Sequence, residues 1–311
     1  MSGPKLVVLV GPTASGKTQL ACALAQRLGG EIVSADSQQC YRGLDVGTAK
    51  PTPAEQKLVP HHLLDVAEPE EQLDAGAFVR LADAAIAEIA ARGKRVLLVG
   101  GTGLWIRALL HGLLDAPGAD PQFRAGLRAE IEERGAPAVH ARLAQIDPDA
   151  AARIRPNDRV RIERALEVHA LSGRRLSELQ HEHNFRERRH PAQLIFLDPP
   201  RELLHQRIAA RTRAMFASGG LERETRMLLQ REAAGAAGAV RALKIIGYGE
   251  CAAALAGRST LAQAEERTVV RTRQYAKRQR SWFAREAAKA EWPPDADRLC
   301  EAAERWYLNA K

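Results

Sequence analysis

Cysteine is scarce in this chain of 311 residues. The four cysteines, Cys22, Cys40, Cys251 and Cys300, lie far apart in sequence. None of their spacings matches the paired cysteines of a zinc site or of a disulfide framework. We therefore expect reduced thiols with structural roles.

Long apolar runs are also absent. No stretch approaches the roughly 20 apolar residues that a transmembrane helix needs. The first five residues lead directly into the short apolar segment Leu6–Val10, without the longer apolar region and cleavage site of a signal peptide. These absences predict a cytoplasmic protein, and 27% charged with 45% apolar residues is typical of a globular one.

Positive charge is what the chain has in excess. The formal net charge is +8, and most of the excess is arginine, whose forked guanidinium suits phosphate contacts. A polyanionic partner is one interpretation of this balance. A genome-wide preference for arginine and alanine would produce the same composition, so the charge alone does not decide.

Short β-branched runs alternate with helical segments in the first third of the chain. Residues 6–10, 31–34 and 96–99 are typical of strands buried on both faces of a parallel sheet, and helices are predicted over 17–28 and 75–92. This alternation predicts a doubly wound α/β core.

The pattern changes after Gly112. Residues 115–121 are rich in turn formers, and the chain to about residue 186 shows only helical patterns. Residues 194–197 return to the buried-strand pattern, and the rest is helical and increasingly basic. We predict a core over residues 1–114 and 187–311, interrupted by an all-helical domain over 115–186, and nothing in the sequence demands a partner chain, so we expect a monomer.

A complete phosphate-binding loop follows the first predicted strand. It consists of Gly11, Pro12, Thr13, Ala14, Ser15, Gly16, Lys17 and Thr18, and we call these residues the phosphate cradle. Its backbone N–H groups converge at the positive end of the next helix. Lys17 supplies charge for phosphate oxygens and Thr18 a hydroxyl for Mg²⁺. The cradle predicts two linked phosphates but not the molecule that carries them.

The best-placed carboxylate is Asp36, at the end of the second strand. Nucleoside triphosphatases and kinases usually place an Asp after an apolar strand to support the metal, but here residues 96–99 lead into Gly100-Gly101-Thr102-Gly103. Ligands of open α/β sheets bind along this edge. Asp36 is therefore a candidate metal ligand or general base, or the N-cap of a helix.

Several longer motifs resemble those of tRNA dimethylallyltransferases in order and spacing. They occupy residues 11–18, 35–51, 61–65, 100–105, 155–158, 164–167, 246–248 and 273–279. Trp105 stands where the family usually has Tyr, and Gly249 where a basic residue is common. The resemblance implies a P-loop NTPase-like α/β fold, a parallel sheet flanked by helices, with the insertion as a swivel domain that contacts tRNA.

The resemblance also implies a reaction. The dimethylallyl group of dimethylallyl pyrophosphate would pass to the exocyclic amine of the adenosine immediately 3′ to the anticodon, in tRNAs that read codons beginning with U. Lys17, Thr18 with Mg²⁺, and Arg226 would neutralise the departing pyrophosphate. Asp36 would take the proton of the amine, and Thr102 would bond near the target base. Arg223 is the alternative to Arg226, because residues 218–226 are one longer than usual.

The same resemblance places a larger set of residues against the tRNA anticodon stem-loop, whose target base must be extruded. They are Asp36, Ser37, Gln38, Gln39, Thr102, Lys244, Ile245, Ile246, Gly247, Tyr248, Gly249, Arg271, Lys277 and Arg278 in the core, and Arg124, Val160, Arg161, Ile162, Glu163 and Arg164 in the insertion. Basic residues alternate with aromatics over 267–285, which suits phosphate contact and stacking. A solvated helix face with its aromatics in the core gives the same pattern.

Three other functions share parts of this pattern. Prenylation of a free adenine nucleotide, as in cytokinin-forming isopentenyltransferases, needs neither the helical insertion nor the basic C-terminal segment. A P-loop kinase or ATPase would need the metal-supporting Asp that is missing here. A non-enzymatic RNA-binding protein would have no use for intact Lys17, Thr18 and Asp36.

Overall fold

The short apolar runs form one parallel sheet in the computed structural model, which describes residues 3–185, 187–236, 239–286, 288–290, 292 and 294–309. The strands are β1 (Leu6–Val10), β2 (Gly30–Ala35), β3 (His61–His62), β4 (Arg95–Gly100), β5 (Ala192–Phe196) and β6 (Ala288–Lys289). Their order across the sheet is β3-β2-β4-β1-β5-β6. Every pairing is parallel, so all the strands end at the same edge.

Helices make up most of the remaining chain. They are α1 (Lys17–Leu28), α2 (Pro53–Leu58), α3 (Ala75–Ala91), α4 (Gly103–His111), α5 (Pro121–Arg134), α6 (Ala136–Ile146), α7 (Pro148–Arg153), α8 (Arg159–Ser172), α9 (Leu176–His183), α10 (Arg201–Ala217), α11 (Gly220–Ala233), α12 (Ala239–Ala242), α13 (Tyr248–Leu255), α14 (Leu261–Phe283) and α15 (Ala296–Asn309). None in the described part of the chain is both long and apolar enough to span a bilayer.

Side chains of the central strands alternate between two hydrophobic layers. Val8 and Leu98 belong to one buried cluster, whereas Leu9 and Leu97 belong to the other. Every residue of β1 is fully buried, because helices cover both faces and successive side chains of a strand point to opposite faces. The predicted doubly wound α/β core is confirmed.

The long predicted elements are present with small changes at their ends. The strand over 6–10 and the helix over 17–28 have the predicted bounds, and the helix predicted to residue 92 ends at Ala91. The strands predicted over 31–34, 96–99 and 194–197 are β2, β4 and β5. The two-residue strands β3 and β6 were not predicted, because a run that short carries no hydrophobic period.

The chain divides into two compact units, Met1–Leu110 with Arg188–Lys311, and His111–Glu187. The predicted insertion covered residues 115–186. The described residues of the second unit form α5 to α9 and contain no strand. They pack around their own buried cluster, which includes Leu127, Val139, Leu143, Ile162 and Leu166.

Candidate active site

Three neighbouring strands bring the phosphate cradle, Asp36 and Thr102 to one edge of the sheet. Gly100 at the end of β4 is in register with Val10 of β1 and with Ala35 of β2. The loops that leave these strands therefore start side by side. This register explains why residues far apart in sequence share one site, as expected for ligand sites at the carboxyl ends of parallel strands.

The phosphate cradle wraps tightly before α1 begins. Gly16, the residue before the helix, has φ 92°, a left-handed conformation that glycine adopts without strain. The Lys17 amino group donates to the carbonyl oxygens of Gly11 at 2.8 Å and Pro12 at 2.7 Å. The hydroxyl of Ser15 is buried and has no hydrogen-bond partner within the described residues. A buried donor of this kind is costly unless a ligand satisfies it.

A cavity of about 540 Å³ opens over the cradle. Its walls are Thr13 to Gln19, Asp36, Gln39, Thr48 to Pro51, Glu55, Val99, Gly100, Arg207, Ala210 and Arg211. We call it the phosphate cavity. It unites positively charged groups from the cradle and from α10 with the carboxylate of Asp36. A cavity that combines convergent N–H donors with cations suits an anionic ligand.

Lys17 has an altered ionisation in this cavity. Burial of its amino group lowers the pKa to about 8, while the charge of Asp36 raises it and that of Arg211 lowers it further. An amino group with a pKa near neutrality gains most from an anionic ligand that restores its full charge. The arrangement therefore favours a phosphate or pyrophosphate group next to Lys17.

Asp36 continues from β2 into a turn and begins no helix. Its Oδ1 accepts a hydrogen bond from the Gln38 N–H at 2.9 Å, so the N-cap alternative does not hold. The Thr102 hydroxyl accepts from the Ser37 N–H at 3.0 Å and donates to the Ser37 hydroxyl at 3.2 Å. Thr102 thus holds the residue next to Asp36, and the carboxylate stays on the cavity wall.

Tyr275 approaches the same group of side chains from α14. Burial raises the pKa of its hydroxyl, the charge of Asp36 raises it further, and a hydrogen bond with the Thr102 side chain lowers it. Tyr275 therefore stays protonated. Its hydroxyl lies near Asp36. From the sequence, this residue was only one of the aromatics that alternate with basic residues over 267–285.

The structure does not bring Arg226 or Arg223 to the phosphate cavity. The Arg226 guanidinium donates to Glu222 on its own helix at 2.7 Å, and its side chain is 58% exposed. Arg223 is exposed and bonds the carbonyl of Ser218. The predicted pyrophosphate-facing Arg226 thus lies outside the cavity, because the buried face of α11 carries Leu221, Thr225 and Leu228 and leaves the arginines exposed.

Arg207 and Arg211 of α10 occupy the cavity instead. Arg211 donates from Nη2 to the Thr13 hydroxyl at 2.6 Å, and its Nε is buried without a hydrogen-bond partner in the described residues. Arg207 donates to the Ser15 carbonyl at 3.3 Å. Their four-residue spacing places both on one face of the helix that follows β5. The spacing alone does not show that this face of α10 meets the cavity, so the sequence did not identify them.

The loop over residues 45–50 forms another wall that the sequence reasoning left unassigned. The Gln39 amide donates to the Ala49 carbonyl at 3.0 Å. Lys50 is buried, and its amino group bonds Asp65 at 2.6 Å. Glu224 accepts from the Gly47 N–H at 3.0 Å and from the hydroxyl of Tyr248 at 2.7 Å. Buried ionic and hydrogen-bonded contacts of this kind hold the wall in one conformation.

The candidate RNA-contacting residues of the first unit differ in exposure. Lys244, Lys277 and Arg278 are exposed. Arg271 is exposed too, but it forms an ion pair with Glu250. Tyr248 is fully buried and Gly247 is buried with it. The side chain of Tyr248 therefore supports the cavity wall and offers no surface to RNA in this structure.

The candidate residues of the second unit are divided in the same way. Val160 is 76% exposed and Arg161 also lies at the surface. Ile162 is fully buried and Glu163 is buried beside it, since α8 turns every third or fourth residue to the core. Only part of residues 160–164 is therefore exposed, and contact of this helix with RNA stays a prediction.

Arg124 is held inside the second unit by an ionic network. It donates from Nε and Nη2 to Glu167 at 2.7 and 2.8 Å. Glu167 also accepts from the Asp120 N–H at 2.8 Å and from Arg164 at 2.9 Å. Both predicted RNA contacts, Arg124 and Arg164, thus have a structural partner here.

Comparison with known proteins identifies the family of the chain. The family model described as IPP transferase matches residues 39–286. A tRNA dimethylallyltransferase of Anaeromyxobacter dehalogenans (strain 2CP-C) is 57% identical over 304 residues, which cover 97% of this chain and 99% of that protein. The full-length tRNA isopentenylpyrophosphate transferase of Bacillus halodurans superposes with a TM-score of 0.68 at 37% identity, covering 98% of this chain and 95% of that one.

A third comparison concerns a eukaryotic protein. A dimethylallyltransferase captured in crystallographic snapshots of its action on tRNA superposes with a TM-score of 0.82 at 25% identity, covering 100% of this chain and 81% of that one. The fold defines an α/β protein of the P-loop type, and the family match makes it an enzyme that transfers a prenyl group. The chain belongs to the IPP transferase family. The resemblance seen in its motifs is confirmed.

Proposed function

We propose that this protein transfers the dimethylallyl group of dimethylallyl pyrophosphate to a tRNA adenosine and releases pyrophosphate. The acceptor is the exocyclic amine of the adenosine immediately 3′ to the anticodon, in tRNAs that read codons beginning with U. One observation carries the proposal: a single cavity joins buried, unsatisfied donors of Ser15 and Arg211 to the carboxylate of Asp36. The names of the relatives supply the dimethylallyl group and the tRNA, and the motif resemblance supplies the pyrophosphate donor and the adenosine.

The phosphate cradle would stabilise the leaving group. An allylic pyrophosphate ionises readily when the negative charge that builds on the pyrophosphate is neutralised. Lys17 and Arg211 provide formal charge, and the backbone N–H groups of the cradle provide directed donors. Arg207 and Arg211 take the role that the sequence assigned to Arg226, because they line the cavity and Arg226 does not.

Mg²⁺ fits the oxygen donors of this cavity. The Thr18 hydroxyl and the Asp36 carboxylate both line it. Within the described residues, no group of three or more His, Cys, Asp or Glu side chains could hold a metal ion by itself. Mg²⁺ commonly binds through one or two protein oxygens and substrate phosphates. Thr18 would hold the ion, which when bound adds positive charge against the pyrophosphate.

Asp36 would accept the proton of the adenine amine. The lone pair of this amine is delocalised into the ring, so removal of its proton during attack assists the reaction. Thr102 and Tyr275 fix the surroundings of the carboxylate through Ser37 and through their own hydroxyls. The proton would move from the amine nitrogen to a carboxylate oxygen of Asp36 as the new carbon–nitrogen bond forms.

The exposed basic side chains would hold the RNA. Lys244, Arg271, Lys277 and Arg278 in the first unit, and Arg161 in the second, are the basic predicted contacts that lie at the surface. The apolar Val160 is exposed next to Arg161. Phosphate contacts position a nucleic acid, and the target base is read after it leaves the stack. We expect the protein to act as a monomer, in the cytoplasm where tRNA is its acceptor.

Mass spectrometry of a single tRNA tests this proposal. Purified protein is incubated with Mg²⁺, dimethylallyl pyrophosphate and an unmodified tRNA that reads codons beginning with U, and the RNA is then digested and mapped. We expect one added dimethylallyl group on the adenosine 3′ to the anticodon. No product on any such tRNA, or equal prenylation of free AMP in competition, would contradict the proposal. Transfer of phosphate from ATP in place of prenylation would indicate a kinase.

A further inference from the structure

Gln279 is a buried side chain of α14 that joins two loops of the candidate active site. It is 5% exposed. Its Oε1 accepts a hydrogen bond from the Thr13 N–H at 2.8 Å, and its Nε2 donates to the Gly101 carbonyl at 3.0 Å. One amide therefore connects the phosphate cradle after β1 to the loop after β4.

The primary amide of Gln279 satisfies both contacts with two different atoms. The Thr13 N–H can only donate and the Gly101 carbonyl can only accept, so the bridging group must accept and donate at one end of its side chain. A carboxylate lacks the donor, and an apolar side chain lacks both. Gly101 also permits the approach, because a Cβ at this position would lie 2.1 Å from Gln279 Nε2.

Each end of the bridge leads to a reacting group. On one side, Thr13 belongs to the phosphate cradle. Its hydroxyl accepts a hydrogen bond from Arg211, and Lys17 lies four residues further along the same loop. On the other side, Gly101 precedes Thr102, whose hydroxyl holds the residue next to Asp36. Gln279 thus lies between the groups that would bind the leaving pyrophosphate and those that would receive the amine proton.

We propose that Gln279 is a positioning residue that sets the distance between the pyrophosphate and the acceptor amine. This inference rests on the proposed function. Loss of the bridge leaves the charged groups of the cradle in place, so the donor still binds and still ionises. It lets the two loops move independently, and a displacement of about 1 Å is enough to cost roughly a hundredfold in rate.

A misaligned acceptor also changes the product. When the carbon–oxygen bond to pyrophosphate breaks before the amine is in line, a water oxygen bonds to the allylic carbon. The water then releases a proton to solvent, and dimethylallyl alcohol and pyrophosphate are formed. The ratio of alcohol to prenylated tRNA therefore reports alignment, whereas a residue that only supports folding leaves this ratio unchanged.

The test compares Gln279→Met, which keeps the volume and removes both hydrogen bonds, with Gln230→Met at an exposed position of α11. Under single-turnover conditions we expect Gln279→Met to lose about a hundredfold in transfer rate and to raise the alcohol ratio roughly tenfold, with the Kd of Mg²⁺–pyrophosphate within about threefold. Gln230→Met should match the wild-type protein in all three measurements.

Three results would overturn the inference: unchanged transfer, a rate loss with an unchanged alcohol ratio, or a rate loss explained by an equal loss of pyrophosphate affinity. Gln279→Asn, whose shorter amide can reach only one partner, should have a transfer rate and an alcohol ratio between those of the wild type and Gln279→Met. If Gln279→Met does not fold, the same measurements on Gln279→Asn test the inference. Absence of transfer by the wild-type protein would instead refute the proposed function, so the two failures are distinguishable.

Discussion

Lys17 and Asp36 share one cavity, and the charge of Asp36 opposes the burial that lowers the pKa of Lys17 to about 8. Lys17 begins α1, Asp36 follows the end of β2, and the two residues have complementary roles. Lys17 can bind an anionic ligand, and the carboxylate of Asp36 in the same cavity can accept a proton. The pair therefore combines leaving-group stabilisation with base catalysis in one small volume.

The pKa of Lys17 predicts how pyrophosphate binding depends on pH. Below about pH 8 the amino group is charged in the free protein, and above it the charge is lost unless the ligand restores it. We expect Lys17→Met to weaken Mg²⁺–pyrophosphate binding roughly a hundredfold near neutral pH, the size of a lost charged hydrogen bond. Above about pH 8 the ratio of the variant Kd to the wild-type Kd should fall, by up to about tenfold per pH unit. Calorimetric titrations across this range measure it, and a constant difference would contradict the assignment.

Arg211 should matter more than Arg226 for the pyrophosphate. Arg211→Met removes a charge and a hydrogen bond to Thr13 at the cavity wall, so we expect the Kd of pyrophosphate to rise about 10- to 100-fold. Arg226→Met removes a surface ion pair with Glu222 and should change the Kd by less than about twofold. The two titrations are run side by side. A larger rise in Kd for Arg226→Met than for Arg211→Met would instead support the sequence-based assignment of Arg226.

Glu167 should stabilise the second unit in a pH-dependent way. Burial alone would raise its pKa, but hydrogen bonds from Arg124, the Asp120 N–H and Arg164 lower the pKa to about 2. The folded state thus holds this proton more weakly than the unfolded state, whose pKa lies near 4.3. The stabilisation is complete above the unfolded value and is lost as pH falls toward about 2.

Urea unfolding of Glu167→Gln tests this network. At neutral pH we expect a loss of about 1 to 3 kcal/mol, because the variant removes the buried carboxylate that the half-buried Arg124 and Arg164 share. The difference from wild type should shrink as the pH is lowered below about 4. Glu182→Gln, which removes an ion pair with Arg174 at the surface, should cost less than about 1 kcal/mol. Equal losses for both variants would show that the network does not stabilise the unit.

The cysteines should be unreactive in the folded protein. All four are buried, and burial, with the charge of Asp36 adding to it, raises the pKa of Cys40 to about 12. Since the thiolate is the reacting form, we expect a disulfide reagent to label the native protein at least about a hundredfold more slowly than the protein in denaturant. Rapid reaction of one equivalent of the reagent with the native protein would reveal an exposed or activated thiol.

The sequence predicted those parts of the site that are contiguous along the chain. The phosphate cradle is a single run of residues between a strand and a helix, and Asp36 and Thr102 follow strands whose patterns are clear. Their meeting could be predicted because parallel strands end at one edge. The same reasoning predicted the two-layered core, since β1 and β4 are short apolar runs.

Arg211 and Gln279 could not be predicted in this way. Each reaches the site through tertiary packing of a helix against the sheet edge, and neither belongs to a local motif with a chemical meaning of its own. Arg211 is one of 46 lysine and arginine residues, so its charge gives no signal by itself. Arg124 shows the opposite case: an arginine expected at the RNA surface is paired with Glu167, and only the packing reveals the partner.

Single-turnover transfer by Asp36→Asn is the most direct test of the claim that one cavity holds both the pyrophosphate and the base. Donor and tRNA are kept saturating, and tRNA affinity and pyrophosphate affinity are measured separately. We expect transfer to fall by roughly a hundredfold or more, the usual contribution of a proton-transfer group, while both affinities change by only a few-fold. Transfer at nearly the wild-type rate would contradict the account, because Asp36 would then have no part in the reaction.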